Sequence, residues 1–284
     1  MTAAFVETMK MIKIEHSVFA LPFALVAAFM AAGGVPEWST LALIVLAMVC
    51  ARSAAMAFNR WLDADIDGQN PRTAMRSIPA GRLSAAYTLG FTIVCSLLFI
   101  ASAWMLNPLA FMLSPLVLAW LLGYSFTKRF TALCHVWLGA ALGLAPFGAW
   151  VAVAGEIHPL PLALGLAVTG WTAGFDIIYA CQDLDFDRAN RLNSIPTRLG
   201  VHNSLLLSKV LHVAMIAVLV AIGFNTPLHP VYWLGLAMVV ACLVYEHNLV
   251  RGGNLEKVDM AFFTMNGVVS LVFGFTTCLA VVLH

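Results

Sequence analysis

Long apolar runs alternate with short polar breaks along the whole chain. Apolar stretches of about 20 residues have the length of helices that cross a bilayer. Nine such runs lie near residues 17–34, 39–58, 83–105, 108–124, 131–153, 160–182, 203–224, 230–249 and 260–283. Their connections carry turn chemistry, as in GGVPEW, LNP, GEIHP and NTPLHP. Lys10 and Lys13 precede the first run as they would precede a signal-peptide core. That run is long for such a core, Glu15 sits in its flank, and eight more runs follow, so it reads as a span.

Composition agrees with this pattern. Of 284 residues, 62% are hydrophobic and 10% charged, where a soluble domain carries roughly 25% charged residues. Mean hydropathy is +0.91. The net charge of +1 offers no electrostatic footprint for nucleic acid. The six cysteines are scattered singly through apolar segments with no C-x-x-C pair, which suits small apolar residues in helices.

The 15 basic residues give the expected orientation. The connections after spans 1, 3, 5 and 7 contain no Lys or Arg. Arg60, Arg72, Arg76 and Arg82 follow span 2, Lys128 and Arg129 follow span 4, and Arg188, Arg191 and Arg198 follow span 6. By the positive-inside rule the N-terminus is cytoplasmic and the C-terminus outside. The expected protein is an all-α integral membrane protein with nine transmembrane helices. It is one polytopic domain, 1–284, in a bacterial-type cytoplasmic (inner) membrane. Two repeat-related halves, about 1–130 and 131–284, surround a central cavity open to the cytoplasmic side.

Candidate chemistry sits at the ends of spans 2 and 6. NRWLDADIDGQN carries Asp63, Asp65 and Asp67, and DLDFDRANR carries Asp183, Asp185 and Asp187, 120 residues later (183 − 63). A similar phrase follows each cluster, SIPAGRL from Ser77 and SIPTRLG from Ser194. Matching functional loops in two halves are common in membrane proteins, and the expected site lies between them. The D-x-D-x-D spacing resembles the start of an EF-hand, but a calcium loop needs Gly at position 6 and Glu at position 12. Counted from Asp63, position 12 is Ala74; counted from Asp183, positions 6 and 12 are Arg188 and Ser194. Calcium is therefore rejected.

On a helix, residues four apart share a face. Asn59, Asp63 and Asp67 then form one stripe, Asp183 and Asp187 a second, and Asp65 and Asp185 point elsewhere. Carboxylate pairs brought together need a cation between them. Magnesium fits, because it takes few carboxylates, keeps waters and is completed by substrate phosphates. Arg72, Lys128, Arg129 and Arg188 are the candidate diphosphate ligands, with Arg76, Arg191 and Arg198 nearby. Two charges fall within spans, Arg52 seven residues before Asn59 and Asp176 seven before Asp183. Charges at that depth usually line a functional cavity, and their matching positions suggest a pair or a shared substrate contact.

N-x-x-x-D-x-x-x-D at Asn59, Asp63 and Asp67, D-x-x-x-D at Asp183 and Asp187, and Y-x-x-x-K at Tyr124 and Lys128 resemble the UbiA superfamily of intramembrane aromatic prenyltransferases. IKIEHSVFALPFAL, NPRTAMRSIPAG and YACQDLDFDRANRLNSIPTRLG resemble its 4-hydroxybenzoate polyprenyltransferase branch, which includes enzymes acting on 1,4-dihydroxy-6-naphthoate in menaquinone synthesis. The resemblance implies that Asp63, Asp67, Asp183 and Asp187 hold Mg²⁺ bridged by the diphosphate of a polyprenyl donor. Asn59 would orient the first metal, and Arg72, Lys128 and Arg129 would bind the diphosphate. The expected partners are a polyprenyl diphosphate, a small aromatic acid and the lipid bilayer. Glu15, His16, Arg52, Asp176, Tyr124 and Tyr179 are candidates for the acceptor cavity, with Phe175 as a further aromatic face. EHSVFALPFA departs from the usual wording of the hydroxybenzoate enzymes, so the acceptor stays open between 4-hydroxybenzoate and the naphthoate. A cation-coupled transporter is the reading from another class, and a polyprenyl-diphosphate phosphatase a third.

Overall fold

The computed structural model describes residues 2–13 and 19–284. Glu15 and His16 lie outside the described residues. All regular structure among the described residues is helical. The helices are α1 (Thr2–Ile12), α2 (Leu21–Ala32), α3 (Trp38–Leu62), α4 (Ala64–Gln69), α5 (Ala85–Leu106), α6 (Pro108–Thr127), α7 (Cys134–Ala154), α8 (Pro159–Ala180), α9 (Leu184–Ala189), α10 (Ile195–Asn225), α11 (Val231–Leu249) and α12 (Asn266–Val282). Short 3₁₀ turns follow α8 and α11, and a π-helix, Met260–Met265, leads into α12.

Eight helices among the described residues are long and apolar enough to cross a membrane. They match the second to ninth runs of the sequence. The first run gives only the 12-residue α2, about 18 Å at 1.5 Å per residue, against a hydrocarbon layer of about 30 Å. Pro22 stands in its first turn, where proline suits a helix start, and Gly33 at φ 62° ends it in the left-handed region. Backbone chemistry sets the other boundaries too. Ser84 Oγ accepts from Tyr87 N–H to cap α5, and Ser194 with Thr197 forms a capping box on α10. Gly200, at φ 73° and ψ 170°, breaks α10 near its start, so its straight run begins close to the sequence reading of 203.

The chain forms two compact units, one of Met1–Ser17 with Ala42–Ser125, the other of Val18–Leu41 with Phe126–His284. In the first, α1 is fastened by polar contacts at both faces. Ser77 Oγ and Arg82 Nε each donate to Glu7 Oε1 at 2.7 Å. Thr8 Oγ1 meets the Tyr87 hydroxyl at 3.0 Å, and Arg52 donates to the Ile12 carbonyl at 2.9 Å. Met11, Ile12, Ala57 and Leu83 pack beneath these contacts.

In the second unit, α7 and α8 approach until backbones touch. A Cβ added at Gly139 would lie 2.4 Å from the Thr169 carbonyl oxygen, and one at Gly143 2.5 Å from that of Gly165. This is a small-xxx-small seam of the kind that packs membrane helices. The two helices run antiparallel, so one turn beyond Gly139 the seam brings His135 opposite the turn of α8 that carries Thr172 and Asp176.

Candidate active site

In the first unit, α3 ends at Leu62 and α4 starts at Ala64, with Asp63 between them at φ −95°, ψ 6°. The break is local. Asp63 N–H still bonds the Asn59 carbonyl at 3.0 Å, and Asp67 N–H bonds that of Asp63 at 2.8 Å. The i, i+4 stripe therefore survives the interruption. Asn59 Nδ2 donates to Asp63 Oδ2 at 3.1 Å. Asp63 and Asp67 are 1% and 4% exposed, while Asp65 is exposed, so the stripe rather than the alternate acid is turned inward.

In the second unit, Asp183 stands in the same place, at φ −95°, ψ 5°, before the six-residue α9. Repeat-equivalent aspartates thus share one backbone geometry, each followed by one short helix. Asp183 and Asp187 are half-buried and Asp185 is exposed. Asp183, Lys128 and His135 all lie within electrostatic reach of Asp187, and Ser194 is in hydrogen-bonding reach of its carboxylate. The loop after α9 is pinned back by Asn193 N–H, which donates to the Lys128 carbonyl at 2.8 Å. Arg72, Arg129 and Arg188 are exposed, and Lys128 is half-buried.

The donor set is made of carboxylates and one amide, all oxygen ligands for a hard cation. Among the described residues no three His, Cys, Asp or Glu side chains gather into one metal-holding group. Pairs of carboxylates leave most coordination positions to water and substrate oxygens, which is the habit of magnesium and not of a structural zinc. The residues present fit Mg²⁺ in that sense.

Three features were invisible in the sequence. Arg76 reaches back nine residues and donates to both oxygens of Asp67 at 2.7 Å. Arg60, on the last turn of α3, is 9% exposed and in electrostatic reach of Arg76, Asp67, Asp63 and Tyr124. Asp176 is held by His135, whose Nδ1 lies 2.7 Å from Asp176 Oδ2 with the imidazole buried at 4% exposure. A charged residue in a span signals that a partner exists, but the partner is chosen by the α7–α8 seam.

The aromatic candidates belong to a larger cluster in the second unit. Tyr179 packs on Phe262 with ring centroids 4.2 Å apart, and Phe175 meets Phe262 at 5.2 Å and Trp171 at 5.1 Å, both edge to face. Phe262 is presented by the π-helix, and π-turns occur frequently at functional sites. Asn266 Nδ2 donates to the Ala261 and Phe262 carbonyls of the π-helix and to Glu246 Oε1, while its Oδ1 accepts from Trp171 Nε1 at 2.6 Å. Glu246, Asn266 and Trp171 are all fully buried. This polar network fixes the wall on which Tyr179 rests.

The pattern of the UbiA prenyltransferase family matches residues 20–268. The chain belongs to this family. It is 31% identical over 250 residues to the 4-hydroxybenzoate octaprenyltransferase of Aliivibrio fischeri, covering 87% of this chain and 86% of that one. It is 33% identical over 245 residues to the enzyme of the same name from Alkalilimnicola ehrlichii, covering 86% and 83%. Among solved structures, the apo UbiA homolog from Aeropyrum pernix superposes with a TM-score of 0.85 at 34% identity, covering 93% of this chain and 97% of that one. A UbiA homolog from Archaeoglobus fulgidus, solved with GPP and Mg²⁺, shares the fold with a TM-score of 0.78 at 19% identity, covering 98% and 100%.

Proposed function

We propose that this protein transfers a polyprenyl group from an allylic polyprenyl diphosphate to the ring of 4-hydroxybenzoate, in a Mg²⁺-dependent reaction that releases diphosphate. One observation carries the reading: two aspartate pairs, at equivalent places in a UbiA-family chain, share the same backbone geometry at Asp63 and Asp183. Relatives covering most of the chain are named for this activity.

Asp63, Asp67, Asp183 and Asp187 hold Mg²⁺, with Asn59 fixing the orientation of the Asp63 carboxylate. Bound there, Mg²⁺ supplies Lewis-acid neutralisation of charge developing on the diphosphate. Arg72, Lys128, Arg129 and Arg188 add point charges and guanidinium forks to the same leaving group. The apolar helices keep water from the allylic cation that forms as the C–O bond breaks. Tyr124, Phe175 and Tyr179 offer aromatic faces to that cation. Arg52 matches the acceptor carboxylate, and Asp176, steadied by His135, the acceptor hydroxyl. A long prenyl tail stays in lipid because each buried CH₂ contributes about 0.8 kcal/mol.

The reading includes a nine-helix topology in which the apolar run near 17–34 is the first crossing. The basic residues then put the N-terminus and the acid-bearing loops on the cytoplasmic side of a bacterial inner membrane, and the C-terminus outside.

The test incubates membranes containing the protein with Mg²⁺, a polyprenyl diphosphate and either 4-hydroxybenzoate or 1,4-dihydroxy-6-naphthoate. Prenylated 4-hydroxybenzoate is the expected product, abolished by a chelator and restored by Mg²⁺. Asp63→Asn and Asp183→Asn should each lower the rate by about 100-fold or more, as loss of a charge-stabilising group does. Product from the naphthoate alone would move the acceptor assignment, and diphosphate release with no prenylated product would refute the transferase reading.

A further inference from the structure

Glu246 and His247 are consecutive polar residues on the last turn of α11. Ionisable residues in a membrane-crossing helix are costly and usually functional, and these two belong neither to the aspartate pairs nor to their basic residues. Neighbours in sequence point about 100° apart on a helix, so they ordinarily reach different partners. Here both lead to Trp171 of α8. Glu246 Oε1 accepts from Asn266 Nδ2 at 3.2 Å, and Asn266 Oδ1 accepts from the Trp171 indole N–H at 2.6 Å. His247 Nε2 lies 3.0 Å from His212 Nδ1, and His212 Nε2 lies 3.2 Å from the Trp171 carbonyl oxygen.

A carbonyl oxygen can only accept, so His212 Nε2 carries a proton. With neutral rings His212 Nδ1 then accepts, and His247 Nε2–H donates to it. Trp171 is therefore gripped twice, at its indole and at its backbone, by separate lines of hydrogen bonds. Glycine makes the second grip possible, because a Cβ at Gly174 would overlap His212 Nε2. Each line ends on a solvent-shielded atom with no hydrogen-bond partner among the described residues, Glu246 Oε2 in one and His247 Nδ1 in the other. Lines that leave such ends add little stability, since apolar groups of the same shape serve as well. What they add is direction. Trp171 meets Phe175 edge to face at 5.1 Å, Phe175 meets Phe262 at 5.2 Å, and Phe262 packs on Tyr179 at 4.2 Å. Tyr179 stands four residues before Asp183, so this file of rings ends close to the second aspartate pair.

We infer that Glu246 and His247 are positioning residues for prenyl transfer. Acting through Trp171, they hold the file of rings where its last faces steady an allylic cation. The inference rests on the prenyltransferase reading. When the C1–O bond of the donor breaks, its electron pair leaves with diphosphate. The cation then takes an electron pair from a ring carbon of the acceptor or from a water oxygen, and either route releases one proton. A displaced wall admits water, so the second route gains.

The experiment gives full-length protein in membranes Mg²⁺, a polyprenyl diphosphate and whichever of 4-hydroxybenzoate and 1,4-dihydroxy-6-naphthoate the wild type prenylates. Prenylated product and free prenol are measured together. Glu246→Leu and His247→Leu should each lower kcat for transfer about tenfold, the scale of one lost hydrogen bond. The KM of the donor should stay unchanged and the share of prenol should rise. Glu246→Gln keeps an acceptor for Asn266, and His247→Gln keeps a donor for His212, so both should hold the wild-type ratio. In detergent, the emission of Trp171, isolated by subtracting the spectrum of Trp171→Phe, should shift in the Leu variants and not in the Gln variants. His247 is half-buried, so His247→Leu disturbs packing less and serves where Glu246→Leu does not fold. A folded His247→Leu with wild-type kcat and prenol share would overturn the inference, even if it unfolds at a lower temperature. Gln variants as impaired as the Leu variants would overturn it too. A wild type that yields no prenylated product from either acceptor refutes the transferase reading instead.

Discussion

Substituting alanine for Gly139 places a methyl group 2.4 Å from the Thr169 carbonyl oxygen, an atom of the facing backbone that no side-chain rotation can move. Ordinary contact requires roughly 1 Å more, so α7 and α8 must separate. Overpacking of this kind costs about 1–3 kcal/mol. Alanine also favours a helix over glycine by about 0.8–1 kcal/mol, which partly masks that cost. Gly148→Ala on the same helix supplies the reference. A Cβ there meets nothing within 4 Å, so that variant keeps the propensity gain alone. The difference between the two variants isolates the close approach. At about 2–4 °C per kcal/mol for a chain of this size class, Gly139→Ala should unfold about 2–12 °C below Gly148→Ala, followed by intrinsic fluorescence in one detergent. Separation also stretches the 2.7 Å contact between His135 and Asp176, one turn along the seam. Prenyl transfer should therefore fall more in Gly139→Ala than in Gly148→Ala at a temperature where both are folded. Equal unfolding temperatures would refute the seam and the placement of Asp176 derived from it.

Gly200 adopts φ 73°, ψ 170°, a region essentially restricted to glycine. Gly200→Ala should cost about 1–3 kcal/mol, read as a lower unfolding temperature. Asn266→Leu strips partners from Trp171 Nε1, from Glu246 and from the π-helix carbonyls, at about 1–3 kcal/mol for each group left unsatisfied. Its expected signature is destabilisation together with a shifted Trp emission. Bonds from Arg82 and then Ser77 hold the Glu7 carboxyl below its ordinary value of 4.5. A depressed value in the folded state means that this fastening of α1 is complete above the ordinary value and is lost as pH falls through the lowered one. Proteolysis of the N-terminal segment should rise with acid in the wild type, and Glu7→Gln should flatten that dependence.

Much of the fold is legible in the chain because a bilayer fixes the length of what crosses it. The second to ninth runs reappear as helices, and the i, i+4 spacing of Asn59, Asp63 and Asp67 survives a break that periodicity alone does not show. The first run is described only from residue 19 onward, where its helix covers Leu21–Ala32 and ends at Gly33 in the left-handed region. The site is less legible where tertiary packing selects the partner. Arg76 and Asp67 are nine residues apart and meet through a turn. His135 and Asp176 meet because glycines let two backbones touch. Glu246, Asn266 and Trp171 come from three different helices, and in the sequence they are single polar or aromatic residues inside apolar runs.

The π-helix before α12 gives the family member a simple way to vary. Its wider winding accommodates one residue more than an α-turn would. Deleting a single residue within Met260–Met265 restores ordinary winding, and each residue of an α-helix turns the face by about 100°. Phe262 would then leave Tyr179, while α12 beyond Asn266 keeps its own register. A one-codon change can thus redraw the aromatic wall without disturbing the bundle that supports it.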